Sequence, residues 1–450
     1  MGETRVHLLG TIRVVHGHLT AALCESVFAK ERKAERRRIW TLQVMALFWT
    51  SVILRAPESL RQALDEAFRG AGGYPLAPSS KQGFFKRAKG LRWQFFRSLL
   101  DDFTASVLKD HEPAYEKALR PALSAFAEVW IVDGSRLDRI AHRLKVLWKE
   151  KTVVLPGSVL ALYDLFRGVA RRVEFCEDAL AAEVPALRGI FDRVPKGTLL
   201  VGDSAYCSHR LFGDLSNRGI SALVRCTEAI SIERVELLSR TQDGKDVIED
   251  TLVVIGTPQK PGHRQRVRMI EKKRKGKKTL RLLTSVLDPQ KLPAQTALTL
   301  YGKRWSVERL FYDLKEVIDL HSFYAGNTNA VAMQVYAAAI VHTAMRVAQV
   351  GIAAEARLEP DQLSVEKLFP RVAAASSAFV TSQQAFIAVE KANPGVELRE
   401  PVWDEQEFAS APVESLRVET RNSRRRRPKR STTPDAYASL HRFTRAHRVS

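Results

Sequence analysis

Two short apolar runs, each followed almost at once by an aspartate, constrain the fold of this chain more than any other feature. The first, residues 129–132 in "FAEVWIVDGS", runs straight into Asp133 and Gly134; the second, residues 199–201 in "TLLVGDSAYC", meets Gly202 and then Asp203. A continuous apolar run of this length is apolar on both faces of a strand and reads as the interior of a sheet covered on both sides. Between the runs, "GSVLALYDLFRG" and "VARRVEFCED" alternate as hairpin strands punctuated by Gly157 and Gly168. "VPALRGIFDRVPKG" reads as a helix closed by Pro195 and Gly197, and a helix over 208–217 followed by a strand over 220–225 completes the stretch. An α/β fold follows. In open α/β sheets, ligands meet the protein at the carboxyl ends of the strands, where both aspartates are expected.

A third acid stands in "YGKRWSVERLFYDLKEVI", residues 301–318. Read as one continuous helix at about 100° per residue, it sets Tyr301, Arg304, Glu308 and Lys315 within about 60° of one another, beside an apolar face of Val307, Leu310, Phe311, Leu314 and Ile318. The plain reading of such a stripe is a surface helix with ordinary charge pairs. Trp305 borders it and suits either core packing or stacking on a displaced base. Taken jointly, Asp133, Asp203 and Glu308 offer carboxylate oxygens of the kind that Mg²⁺ or Mn²⁺ favours. Two such ions are suited to in-line phosphoryl displacement.

Composition agrees with a polyanionic substrate. The formal charge is +21 and the pI about 10, and basic clusters interleave with aromatics in "KERKAERRRIW" and "FFKRAKGLRWQFFR". Phe85, Trp93 and Phe96 suit a core equally well. Residues 39–54 read as the longest mainly apolar stretch, 16 residues with Gln43 inside it, short of the ~20 that span a bilayer; a buried helix is expected and no membrane association. Cys24, Cys176, Cys207 and Cys226 form no CxxC pair, which points to a reducing cytoplasm. His342, with no second histidine at ligand spacing, reads as a core residue.

The organisation expected from texture and charge is a helical N-terminal DNA-binding region over 1–118, an α/β core over 119–226 and 281–350, a β-rich insertion over 227–280, a C-terminal helical region over 351–410 and a basic tail over 411–450. Lys272 to Lys278 carries a predicted hairpin turn and reads equally as a solvated loop or a phosphate contact.

The intervals Tyr301, Arg304, Glu308 and Lys315 match the Tyr-x2-Arg-x3-Glu-x6-Lys signature, and with "IVDGS" and "GDSAYCSHRLFGDLSNRGI" the chain resembles bacterial insertion-sequence DDE transposases of the insertion-sequence-four type, from about residue 126 to 346. The resemblance implies a ribonuclease-H-like core interrupted by a β-rich insertion. It implies Asp133, Asp203 and Glu308 as the catalytic, metal-binding triad for two Mg²⁺ or Mn²⁺ ions, and Tyr301, Arg304 and Lys315 as contacts to phosphates at the transposon end, with Trp305 beside them. It further implies double-stranded DNA partners (element ends and target), a homodimeric synapse, cleavage followed by strand transfer, and a bacterial cytoplasmic, nucleoid-associated location. Two departures stand out: Ser204 occupies a position where the family often has Arg, and Ser135 replaces a common Thr.

Rival readings fare worse. Residues His342 with Arg346, and His441 with Arg445, have the wrong gap for a tyrosine recombinase, and no GxxxxGK[ST] loop occurs. An inactive or domesticated ribonuclease-H-fold DNA-binding protein stays as the alternative. Such a binder would have no electrostatic reason to keep three acids near phosphate.

Overall fold

The structure is a computed structural model that describes residues 5–31, 35, 38–69, 80–111, 115–137, 157–178, 182–257, 264–274, 276–320, 323–324, 327–392 and 410–418, with the side chains of 5 and 380–392 excepted. The chain is a mixed α/β protein. Its first strand, β1 (Arg5–His7), is followed by helices α1 (Gly10–His18), α2 (Ala21–Glu31), α3 (Leu42–Arg55), α4 (Leu60–Phe68), α5 (Lys81–Gly90) and α6 (Gln94–Asp110). Next come β2 (Glu128–Arg136), β3 (Ser158–Asp164), β4 (Val169–Cys176), α7 (Glu183–Arg188), β5 (Thr198–Gly202), α8 (His209–Ser216) and β6 (Ser221–Arg225). The chain continues through β7 (Ile232–Asp243), β8 (Asp246–Ile255), β9 (Gln265–Lys273), β10 (Leu280–Thr284), α9 (Ala294–Gly302), α10 (Trp305–Tyr312), α11 (Thr328–Glu355) and α12 (Val365–Ala392), and ends its described part with β11 (Ser410–Pro412), which pairs antiparallel with β1.

One nine-stranded sheet, in the order β4-β3-β2-β5-β6-β10-β9-β8-β7, organises the fold. β2, β5 and β6 run parallel at its centre, while β3 and β4 form an antiparallel hairpin on one flank. On the other flank β10, β9, β8 and β7 are antiparallel, so the strands over 227–280 extend the same sheet. The apolar runs behave as their composition requires: alternate residues of β2 serve opposite faces. Val129 and Ile131 pack with α11 and the N-terminal helices, whereas Trp130 and Val132 pack with Leu187, Leu211 and Leu215 from α7 and α8.

α11 is buried nearly all round and carries α1, α3, α5 and α6 against it. Helices from the first 118 residues therefore share one core with the sheet. By length and hydropathy alone α11 would pass for a membrane span, yet 78% of its most apolar window lies inside the fold. The apolar stretch over 39–54 forms buried α3, capped by Thr41, whose hydroxyl accepts from the Val44 N–H. Ser208 caps α8 in the same way through the Leu211 N–H. His342, on α11, is fully buried with Nε2 3.5 Å from Asp313 Oδ2, a distance longer than a good hydrogen bond. Residues 419–450, most of the basic tail, lie outside the described residues.

Candidate active site

Asp133 and Asp203 meet because of strand register. The parallel ladder between β2 and β5 pairs Ile131 with Val201, and each aspartate lies two residues further on. The two motifs differ locally. β5 stops at Gly202, and Asp203 turns the chain by accepting the Ala205 N–H on Oδ1 at 2.7 Å. β2 continues to Arg136 because its pairing with β3 persists, Asp133 facing Ala161 in the antiparallel register. Asp133 is thus inside a strand, contrary to the expectation of a strand ending there.

The 301–318 segment is not one helix, and the single-helix wheel does not hold across it. α9 ends at Gly302; the N–H groups of Lys303, Arg304 and Ser306 bond three residues back in a tightened turn before α10 begins. α10 then gives way at Asp313–Val317 to a π-helical turn, closed by the Ile318 N–H on the Asp313 carbonyl at 2.9 Å. Despite the breaks, the side chains gather at the same end of β2. Arg304 Nη2 donates to Glu308 Oε1 at 2.6 Å, and its Nη1 lies 3.5 Å from Asp133 Oδ2. One guanidinium therefore spans two of the three acids. Lys315, from the π turn, donates to Ser135 Oγ and to the Arg136 carbonyl.

Electrostatics mark Asp133 as the stressed group. Burial pushes its carboxyl from 3.8 up to about 7; Arg304 and the Gly134 N–H oppose that rise, and the nearby charges of Glu183 and Asp203 add to it. Tyr301, half-buried at the end of α9, has its phenol raised by burial and feels Arg304, Arg225 and Asp203. Trp305 is 66% exposed, which settles its choice between core and surface, and the Arg304 guanidinium lies 5.4 Å from its ring centroid. Ser204 is exposed.

The Arg304 guanidinium balances the carboxylates of Asp133 and Glu308, which are hard oxygen donors of the kind a divalent cation takes. Among the described residues, no three His, Cys, Asp or Glu side chains are gathered tightly enough to hold an ion as they stand. A cavity of about 270 Å³ opens on α10 and α11, lined by Ser306, Arg309, Asp313, His342 and Arg346, and includes none of the predicted site residues.

One acid escaped the sequence reading. Glu183, first residue of α7, receives the Tyr206 hydroxyl on Oε2 at 2.6 Å and lies against Gly134. A lone glutamate in a short helix gave no signal, because its partners are 49 and 23 residues away in sequence.

Comparison with known proteins gives the class. The family model described as "Transposase DDE domain" matches residues 150–344, which include Asp203, Tyr301, Arg304, Glu308 and Lys315 and begin after Asp133. A curated protein of Sinorhizobium fredii described as "Putative transposase y4zB" is 27% identical over 259 residues, 52% of this chain and 70% of that protein. Among solved structures, a chain of the piggyBac transposase synaptic complex with hairpin DNA is matched over 87% of this chain and 81% of that one, at 11% identity and a TM-score of 0.42, too low to support a statement about fold. The DDE domain match and the relative both support a DNA transposase of the DDE type.

Proposed function

We propose that the chain is a cut-and-paste DNA transposase of the insertion-sequence-four type that binds the terminal inverted repeats of its own element, with Asp133, Asp203 and Glu308 as its catalytic carboxylates. The observation that carries the reading is the convergence just described: two aspartates on adjacent parallel strands, and a guanidinium that ties one of them to Glu308. The central order β4-β3-β2-β5-β6, parallel at β2, β5 and β6, supports a ribonuclease-H-like core; β7–β9 are the proposed β-rich insertion over 227–280. The remaining division is 1–118 for end binding, 119–226 with 281–350 for the core, 351–410 for a C-terminal helical region and 411–450 for a basic tail.

Asp133, Asp203 and Glu308 would hold Mg²⁺ or Mn²⁺, two ions in this reading. Bound divalent ions supply charge neutralisation at the phosphate and activation of the attacking oxygen. The chain's own residues do the rest. Arg304 is poised to exchange its carboxylate partners for a phosphate, since its planar fork suits either. That exchange frees Asp133 and Glu308 as DNA arrives. Tyr301 presents a phenol that stays protonated at neutral pH and so donates to a phosphate oxygen. Lys315, tethered to Ser135 and Arg136, adds a positive charge at the end of β2 for a phosphate to meet. Trp305 offers an exposed ring on which a displaced base can stack. A homodimeric synapse on double-stranded DNA and a cytoplasmic, nucleoid-associated location complete the proposal.

Incubation with duplexes carrying candidate element ends, with and without Mg²⁺, followed by strand-resolved gels, tests this reading. Metal-dependent breaks at the element boundary leaving a 3′-hydroxyl are expected. Mobility shifts with no broken strand in any metal would replace the transposase by the inactive binder.

A further inference from the structure

Two cysteines that the chemistry above does not use meet just beyond the Asp203 turn. β5 and β6 run parallel with Gly202 opposite Val224, so the chain leaving β5 through Asp203 and the chain leaving β6 through Arg225 emerge side by side. Cys207 closes the short turn Ser204–Tyr206, its N–H donating to the Ser204 carbonyl at 3.2 Å. Cys226 is the first residue past β6, and its N–H donates to the Arg281 carbonyl of β10 at 2.8 Å. Both thiols are free and lie against the apolar layer that α7 and α8 form on one face of the sheet, Cys207 buried and Cys226 partly covered. They are within hydrogen-bonding reach of each other and share one peptide: Cys226 Sγ donates to the Thr227 carbonyl at 3.3 Å, and the Thr227 N–H donates to Cys207 Sγ.

The pair is asymmetric. The Cys226 thiol and the Thr227 N–H favour negative charge on Cys207 and draw its thiol below the ordinary value against the effect of burial, while Cys226, donor to Cys207 and itself desolvated, is pushed up. At Cys24, by contrast, burial and two nearby glutamates push the thiol up to about 12. We propose that Cys207 and Cys226 are a disulfide-forming pair, oxidised by peroxide, whose bond pins the turn after Asp203 to the end of β6. The Cys207 thiolate attacks one peroxide oxygen, the O–O bond breaks and hydroxide leaves, giving a sulfenic acid. Cys226 then attacks that sulfur, its proton passes to the departing oxygen, and water leaves as the S–S bond forms. Two thiols and one hydrogen peroxide thus give one disulfide and two waters, and cellular thiols can reverse the bond. The competing account is that both sulfurs serve only as packing atoms beneath the turn.

Peptide mass spectrometry of the full chain after brief treatment with hydrogen peroxide separates the two accounts, without DNA or any cleavage readout. The natural chain should lose two hydrogens and yield a peptide joining Cys207 to Cys226, both changes reversed by dithiothreitol. Cys226→Ser leaves no second thiol to resolve the sulfenic acid, so dimedone should trap Cys207 several-fold more than in the natural chain; Cys207→Ser should leave Cys226 untrapped at the same peroxide concentration. Amide hydrogen exchange over residues 204–208, whose N–H groups hold the turn, should slow several-fold in the oxidised chain. Absence of the joined peptide, with Cys207 and Cys226 left reduced or oxidised separately, overturns the pair. Trapping at Cys226 in Cys207→Ser, with none at Cys207 in Cys226→Ser, overturns the assigned order of attack. A joined peptide with unchanged exchange over 204–208 overturns the pinning of the turn.

Discussion

Replacing Asp133 by Asn should stabilise the metal-free protein while removing its chemistry. A carboxyl whose folded-state value is raised binds its proton more tightly in the folded chain than in the unfolded one. Its contribution to stability is present below the unfolded value and is lost as pH rises through the folded value. For Asp133 the window runs from 3.8 to about 7, and at about 1.4 kcal/mol per pH unit the ceiling is about 4 kcal/mol. The side chain is 16% exposed, and water reaching it should leave about 1–3 kcal/mol, a few degrees in melting temperature for a chain of this size. Asn is neutral and nearly isosteric, and Arg304 keeps Glu308 as partner. Thermal unfolding at pH 8 without metal should therefore place Asp133→Asn above the natural chain, with the gap closing toward pH 4. Saturating Mn²⁺ should reverse the order at pH 8. A melting temperature at pH 8 equal to or below that of the natural chain would refute the claim that Asp133 is held charged at a cost. The same proton must leave before a cation binds, so cleavage in Mg²⁺ should rise with pH up to about 7.

Trp305→Ala should leave stability within about 0.5 kcal/mol, as expected for an exposed side chain away from the core, yet reduce the fluorescence change of 2-aminopurine placed at the element end; an unchanged signal would remove the base-stacking role. Lys315→Ala should weaken end binding and lower the slope of log affinity against log salt by about 1, and an unaltered slope would count against a phosphate contact. Arg268 is fully buried, pairs with Asp250 and donates to the carbonyls of Val286, Asp288 and Leu292. Arg268→Ala strands that aspartate and frees the 286–292 connection leading to α9, so denaturant unfolding should show a loss of about 3–5 kcal/mol; a loss under 1 kcal/mol would mean that the pair is dispensable.

What the sequence made legible was local chemistry. Apolar runs gave the central strands, and Ser208 announced the start of α8. Alternation with glycine punctuation gave the β3–β4 hairpin. What it could not show depends on partners distant in the chain. The break after Gly302 is a tightening into three-residue bonds, invisible to a fixed 100° wheel. β2 runs on past Asp133 because β3 pairs with it, a fact of tertiary pairing. Phe85 is half exposed while Trp93 and Phe96 are buried, and one aromatic cluster looks the same for all three until packing assigns faces. Arg304 reads as a phosphate ligand in sequence, yet without DNA its partners are the carboxylates themselves. Glu183 meets Gly134 and Tyr206 only through contacts between residues distant in the chain.

The most direct test is to locate Mn²⁺ by anomalous scattering in crystals of the protein bound to a cleaved element end. The account predicts metal peaks ligated by carboxylate oxygens of Asp133, Asp203 and Glu308, with the Arg304 guanidinium moved from Glu308 onto a DNA phosphate. Peaks bound elsewhere, with Arg304 still bridging Asp133 and Glu308 beside an engaged DNA end, would contradict it.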